Sequence, residues 1–310
     1  MINELLVSLV SKVLGEGKMT ARGNRAFHCP LCNHHKPKLE INFTDNKKGH
    51  HPWHCWVCNE KGKYLNTLFK KVKALPEYFS ELKSLVKTGY QVKDVEVIKY
   101  NLKLPEEFIP ITNNSKNVIG RQAWVYLKNR GITIEDIEKY NIGYCEYGRY
   151  AKMVIIPSYD KNGQLNYYTG RSFEKDPYIK YKNPESSRNI IPNEHLINWN
   201  LPLVICEGMF DAIAIKRNAI PLLGKNIQSE LMKKIVTSTI EKIYIALDTD
   251  AMKQAVKFAE EFINEGKEVY LIDLKEKDPS EMGFHNFTKL IQNTFPLTSY
   301  QLMERKLQSI

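Results

Sequence analysis

A chain of 310 residues and 36.0 kDa has room for two or three domains. Hydrophobic (43%) and charged (26%) fractions are ordinary, 11% aromatics exclude a chain disordered throughout, and no apolar run approaches the ~18 residues that a membrane span requires. The net charge of +10 is uneven: residues 1–73 hold 13 Lys/Arg against 5 Asp/Glu, a net of +8, which points to a polyanion bound near the N-terminus.

The opening stretch, MINELLVSLVSKVLGEGK, carries Glu4 and polar residues inside its apolar pattern. A secretory signal is therefore not expected, and a cytoplasmic location is. Two pairs follow, Cys29-x-x-Cys32 and Cys55-x-x-Cys58, with 22 residues between them. Each knuckle is a tight turn that aims two thiolates at one ion, and this spacing predicts a tetrahedral zinc site with four cysteine ligands. A reducing compartment weighs against two disulfides. Four thiolates and one Zn2+ lower the local net charge to +6, which is still basic.

Between the knuckles Leu39, Ile41 and Phe43 alternate with Glu40 and Asn42, and Asp45 to Gly49 reads as a turn. That is the hairpin of a zinc ribbon. His28, His34, His35, His50, His51 and His54 crowd the region; four thiolates already close the site, so the histidines are expected to be exposed or to lie beside the ligands. Trp53 and Trp56 stand among Arg22, Arg25, Lys47, Lys48, Lys61 and Lys63. Rings beside cations can stack on bases and pair with phosphates. The other reading is that both tryptophans pack the ribbon's own core.

Residues 66–100 read as helical, with Leu68, Val72, Leu75, Phe79, Leu82 and Val86 at steps of three and four and an interruption at Pro76. Residues 101–117, with Pro105, Pro110 and a polar run from Thr112 to Asn117, read as a flexible boundary. GRQAWVYLKNRGIT then predicts a helix ended by Gly131, and TIEDIEKYNIG a second one capped by Thr133. MVIIPSYD, Asn162-Gly163 and QLNYYTGRSF predict a β-hairpin, followed by the basic, aromatic stretch DPYIKYKNPESSRN.

Residues 201–295 alternate strand and helix: LPLVICEG, MFDAIAIKRN, EKIYIALDTD, AMKQAVKFAEEFINEG and EVYLIDL. This is the pattern of a parallel sheet, whose ligands bind at the carboxyl ends of the strands. Acids fall at those ends. Glu207 closes one strand, Asp248 and Asp250 close the next, and Asp278 follows the third. Hard oxygen ligands of this kind suit Mg2+ or Mn2+. Asp211, one helical turn beyond Glu207, is either a helix cap or a member of the site. Cys145 and Cys206 read as buried apolar residues.

CEGMFDAIAI, ALDTDAMKQA and KEKDPSE resemble the three motifs of the Toprim fold as found in bacterial-type DnaG primases. YLKNRGIT, IEKYNIGYC, MVIIPSYDKNGQLNYYTGRSF and YIKYKNPES are similar in order and spacing to that family's RNA-polymerase core, and the stretch from HCPLC to HCWVCNEKGK resembles its zinc domain. Cys32 stands where the family usually has histidine, Ser280 where it has an acid, and Arg188 is the nearest match to an expected basic residue. Size and the Lys-, Asn- and Ile-rich composition suggest a phage or mobile-element member, acting in the cytoplasm of a bacterial host.

The resemblance implies an α/β chain: an N-terminal β zinc ribbon linked to an RNA-polymerase core that contains a mainly parallel Toprim subdomain. The expected divisions are 1–73 zinc ribbon, 74–117 helical linker, 118–200 N-terminal basic subdomain of the core, 201–295 Toprim subdomain and 296–310 tail. It implies synthesis of short RNA primers on single-stranded DNA by metal-dependent nucleotidyl transfer. Glu207, Asp248, Asp250 and Asp278 would be catalytic; Arg171, Lys180 and Asn183 would line the template and nucleotide groove. Lys225 and Lys253 are placed to meet phosphates. The implied cofactors are one structural Zn2+ and catalytic Mg2+ or Mn2+. The implied partners are DNA template, NTPs, the RNA product and, transiently, a replicative helicase, with no membrane. A Toprim nuclease and a non-catalytic binder of single-stranded DNA are the alternatives.

Overall fold

A computed structural model describes residues 2–44, 50–86, 102–112, 117–274 and 278–308. The chain forms two compact units, Met1–Val97 with Glu261–Lys267, and Ile98–Glu260 with Glu268–Ile310.

The first unit opens with a helix, α1 (Glu4–Leu14), which the sequence reading did not identify. Asn3 caps it by accepting from Leu6 N, and Gly15 ends it at φ 81°. A five-stranded antiparallel sheet follows in chain order: β1 (Lys18–Met19), β2 (Arg25–Phe27), β3 (Leu39–Ile41), β4 (Trp53–Cys55) and β5 (Lys61–Gly62). The expected hairpin is β3–β4, with Leu39 opposite Cys55 and Ile41 opposite Trp53; its turn lies outside the described residues. Leu6, Leu9, Val10, Phe27, Leu39, Ile41 and Trp53 form one core with Leu65, Leu68 and Phe69.

The helical expectation for 66–100 resolves into α2 (Leu65–Lys71) and α3 (Pro76–Leu85). Pro76 begins the second helix, where its missing N–H costs nothing. Residues 87–101 lie outside the described segments.

The second unit holds two sheets. One is antiparallel, in the order β10-β9-β8-β7-β6. Its first strand, β6 (Phe108–Pro110), falls inside the segment read as a flexible boundary and pairs with β7. Between them come α4 (Val118–Asn129), followed by Gly131 at φ +73°, and α5 (Ile134–Lys139). Thr133 and Asp136 form a full capping box on α5. Then β7 (Gly143–Cys145), β8 (Met153–Tyr159), β9 (Leu165–Ser172) and β10 (Tyr181–Lys182) complete the sheet. The β8–β9 turn is the predicted one: Asp160 Oδ1 accepts from Asn162 N and Gln164 N, and Gly163 takes φ +77°.

The other sheet is parallel, in the order β12-β11-β13-β14. Its chain order is β11 (Leu203–Cys206), α6 (Met209–Ile215), β12 (Ala219–Pro221), α7 (Ser229–Thr237), β13 (Lys242–Ala246), α8 (Met252–Asn264), β14 (Glu268–Leu271), α9 (Pro279–Gln292) and α10 (Ser299–Gln308). Ala255, Phe258, Ala259 and Phe262 of α8 are all buried, as their spacing predicts. Gly283 breaks α9 at φ 75°. No helix among the described residues is long and apolar enough to cross a membrane.

Candidate functional site

The four paired cysteines converge in the first unit. Cys29 Sγ lies 3.9 Å from Cys58 Sγ and Cys32 Sγ 3.8 Å from Cys55 Sγ. A tetrahedron with Zn–S bonds of about 2.3 Å has edges of about 3.8 Å, so the donor set fits that ion. The knuckles share one construction. Asn33 N donates to Cys29 O, Asn59 N donates to Cys55 O, and both asparagines take the left-handed conformation at φ 50° and 59°. The repeated C-x-x-C-N string was the available sequence signal. Burial pushes the Cys29 thiol up to about 12, whereas at Cys55 burial is outweighed by hydrogen bonds from the Cys58 and Val57 backbone and from neighbouring thiols, and that thiol is lowered to about 7.

The tryptophans part company. Trp53 is 2% exposed and its Nε1 donates to Tyr64 O, so the expectation that it stacks on a template is corrected: it is core. Trp56 is 51% exposed, with His54 edge-on at 4.2 Å. His51 is buried rather than exposed, its Nδ1 3.3 Å from Asn42 O.

In the second unit Glu207 follows β11 and Asp248 follows β13. The strands are parallel neighbours, with Cys206 beside Ala246, so both acids leave the same end of the sheet. Asp250 sits one short turn further on. Carboxylate oxygens of Glu207, Asp248 and Asp250 lie within 4.8 Å of one another. Buried Glu207 Oε2 has no hydrogen-bond partner among the described residues. An orphaned buried carboxylate oxygen facing two more carboxylates is a donor set that fits a hard divalent cation. Burial raises the Glu207 pKa, followed by the charges of Asp248 and Asp250; burial also raises Asp248, followed by Asp278 and Asp250.

Asp278 stands apart from the trio and caps α9, where its Oδ1 accepts from Glu281 N at 2.7 Å and from Ser280 Oγ at 2.8 Å. Asp211 is nearly buried and holds two backbone groups: Gly208 N donates to its Oδ2 at 3.1 Å and Ser280 N to its Oδ1 at 3.3 Å. Burial, then Asp278, pushes it to about 7.

Of the candidate groove residues, Arg171 lies on β9, and Lys180 and Asn183 flank β10. Arg171 is 8% exposed, its Nε donates to Tyr126 Oη at 3.0 Å, and its guanidinium covers the Tyr181 ring at 4.3 Å. Lys180 is exposed, and Asn183 accepts from Tyr150 Oη through its backbone carbonyl. Lys225 meets Asp250 Oδ2 at 2.6 Å, and Lys253 is exposed in the first turn of α8. Sequence reasoning missed Arg130, whose guanidinium lies over Tyr126 and Phe210 at 5.3 and 5.0 Å and donates to Ser280 Oγ. The four-residue step from Tyr126 to Arg130 on a helix was its signal. A cavity of about 730 Å3 is lined by Arg121, Tyr126, Lys152, Phe173 and Lys175. Cys145 and Cys206 are buried, as expected.

Residues 204–282 match the Toprim-like family. A DNA primase of Legionella pneumophila is 24% identical over 96% of this chain and 61% of its own length; one of Aquifex aeolicus is 23% identical over 89% and 64%. The chain is thus similar to DNA primases over most of its length. It spans under two thirds of the length of these two relatives. Among solved structures, a DnaG primase catalytic domain bound to ssDNA superposes with a TM-score of 0.53 at 19% identity, covering 62% of this chain and 78% of that one. The E. coli primase catalytic core gives 0.51 at 18%, covering 62% and 79%. The fold is thus α/β, with the cysteine-bearing antiparallel sheet joined to a unit that holds the parallel Toprim-like sheet.

Proposed function

We propose that the chain is a primase, a DNA-dependent RNA polymerase that makes short RNA primers on single-stranded DNA. The convergence of Glu207, Asp248 and Asp250 at one end of adjacent parallel strands, in a chain similar to DNA primases, carries this reading. These three would hold Mg2+ or Mn2+, and Cys29, Cys32, Cys55 and Cys58 would hold Zn2+. A divalent ion bound there would supply activation of a 3′-hydroxyl and neutralisation of charge on the leaving pyrophosphate. Arg171, held by Tyr126 and Tyr181, would present its guanidinium to phosphates, and Lys180, Asn183 and Lys253 would contact template or nucleotide. Asp278 caps α9, and after burial its charge helps to raise Asp248. Domain divisions at 73, 117, 200 and 295 belong to the same proposal.

The test is incubation with NTPs, Mg2+ or Mn2+ and single-stranded DNA of varied sequence, with sequencing of product 5′ ends. Short RNA is expected. Template degradation, or binding without synthesis, would overturn the reading in favour of a nuclease or an accessory binder.

Two further outcomes follow. Trp56→Ala should weaken template binding by about 1–3 kcal/mol if the exposed ring stacks on a base, measured by fluorescence anisotropy in fixed salt. The raised carboxylates give a pH dependence. A group raised on folding favours the folded state when protonated, and that contribution is lost as pH climbs through the raised value. For Glu207 and Asp248 this window begins at the ordinary carboxylate range, and for Asp211 it ends near about 7. Mg2+ must displace those protons. It should therefore raise Tm more at pH 8 than at pH 5 in parallel melts; an equal shift at both would refute the coupling.

A further inference from the structure

The ammonium of Lys225 lies 2.6 Å from Asp250 Oδ2, and its charge also acts on Glu207 and Asp248. A lone exposed ion pair carries little weight. The loop that delivers this one is built for the purpose. Leu223 takes φ 56°, a left-handed conformation that a bulky side chain rarely adopts, and Gly224 takes φ 154°. Leu223 N donates to Glu207 O at 3.2 Å, which ties the loop to the strand end that carries the first acid. Leu223 O accepts from Arg188 Nη1 at 3.1 Å, and Arg188 Nε donates to Tyr167 Oη on β9 at 3.2 Å. A Cβ on Gly224 would come within 3.4 Å of that guanidinium. The backbone two residues before Lys225 is therefore clamped from both sides.

We propose that Lys225 is a resident counter-cation of the acidic trio, competing with the divalent ion for it and turning to the nucleotide triphosphate once that ion has bound. The proposal rests on the metal site proposed above. Three carboxylates with one ammonium keep a net negative charge, enough to attract a divalent ion; once the ion neutralises them, the ammonium faces an incoming polyanion instead. The two ligands thus respond to Lys225 with opposite signs. A residue that merely supported the loop would weaken both or neither.

The full chain is titrated with Mn2+, followed by the paramagnetic signal of the free ion, and then with a non-hydrolysable NTP analogue in saturating Mn2+. Lys225→Met should bind Mn2+ about three- to fivefold more tightly than the unaltered chain and the analogue more weakly. Lys225→Arg, which keeps the charge, should hold both constants within about twofold. Unchanged or weaker Mn2+ binding by Lys225→Met overturns the proposal. Absence of any Mn2+ binding that Asp248→Asn removes overturns the underlying metal site, and the proposal with it.

Discussion

Asp248→Asn should abolish primer synthesis, lowering the rate by on the order of a hundred- to a thousandfold or more, while template binding stays unchanged. The geometry makes this the sharpest substitution in the molecule. Asp248 is coupled to its neighbours: burial and then Asp248 and Asp250 raise Glu207, and burial and then Asp278 and Asp250 raise Asp248. Asparagine preserves shape and removes one negative charge, so a divalent ion loses a ligand and part of its attraction. The ion-free protein should gain stability, because a carboxylate held above its ordinary range opposes folding when ionised. Lower activity with a raised Tm is a signature that misfolding cannot mimic. Primer assays beside thermal melts in chelator read both, and retained synthesis would refute the assigned role.

The second large effect belongs to the cysteines. Removing the ion with a strong chelator, or replacing Cys55 with Ser, should markedly destabilise the cysteine-bearing sheet of the first unit. Cys29 and Cys55 are almost fully buried, and the donors that crowd them are other thiols. Structural zinc binding contributes on the order of 10 kcal/mol in small isolated fingers. Here part of that is replaced by the core around Phe27, Leu39, Ile41 and Trp53, so a loss of several kcal/mol is expected rather than wholesale collapse. Hydrogen exchange on β2, β3 and β4 should rise sharply and fall again when Zn2+ is restored. Protection unchanged by chelation would show that the thiols do not hold a metal.

Much of the architecture was legible because it is written in local chemistry. Thr133 caps α5 as its position predicts, and Gly163 stands in the expected hairpin turn. Glu207 and Asp248 could be placed because an acid after an apolar run marks a strand end. The misses have physical causes. β12 is three residues long and ends in Pro221, which suits only an edge strand and leaves no alternation to read. Trp53 and Trp56 look alike as letters in a basic stretch. Their fates diverge because Trp53 sits on β4 facing the core while Trp56 lies in the knuckle turn. Asp211 was ambiguous because a helix cap and a metal ligand ask for the same side chain. The clamp on Leu223 needed Arg188, 35 residues earlier, and no pattern of spacing announces such a pair.

Asp211 has a mechanical effect as well. One of its oxygens grips the amide that follows Glu207, and the other grips an amide two residues beyond Asp278. A single nearly buried carboxyl thus bolts together two chain segments that are distant along the polymer. The chain around Glu207 is thereby held in place, so a cation bound by the proposed trio would lose little free energy in arranging its ligands.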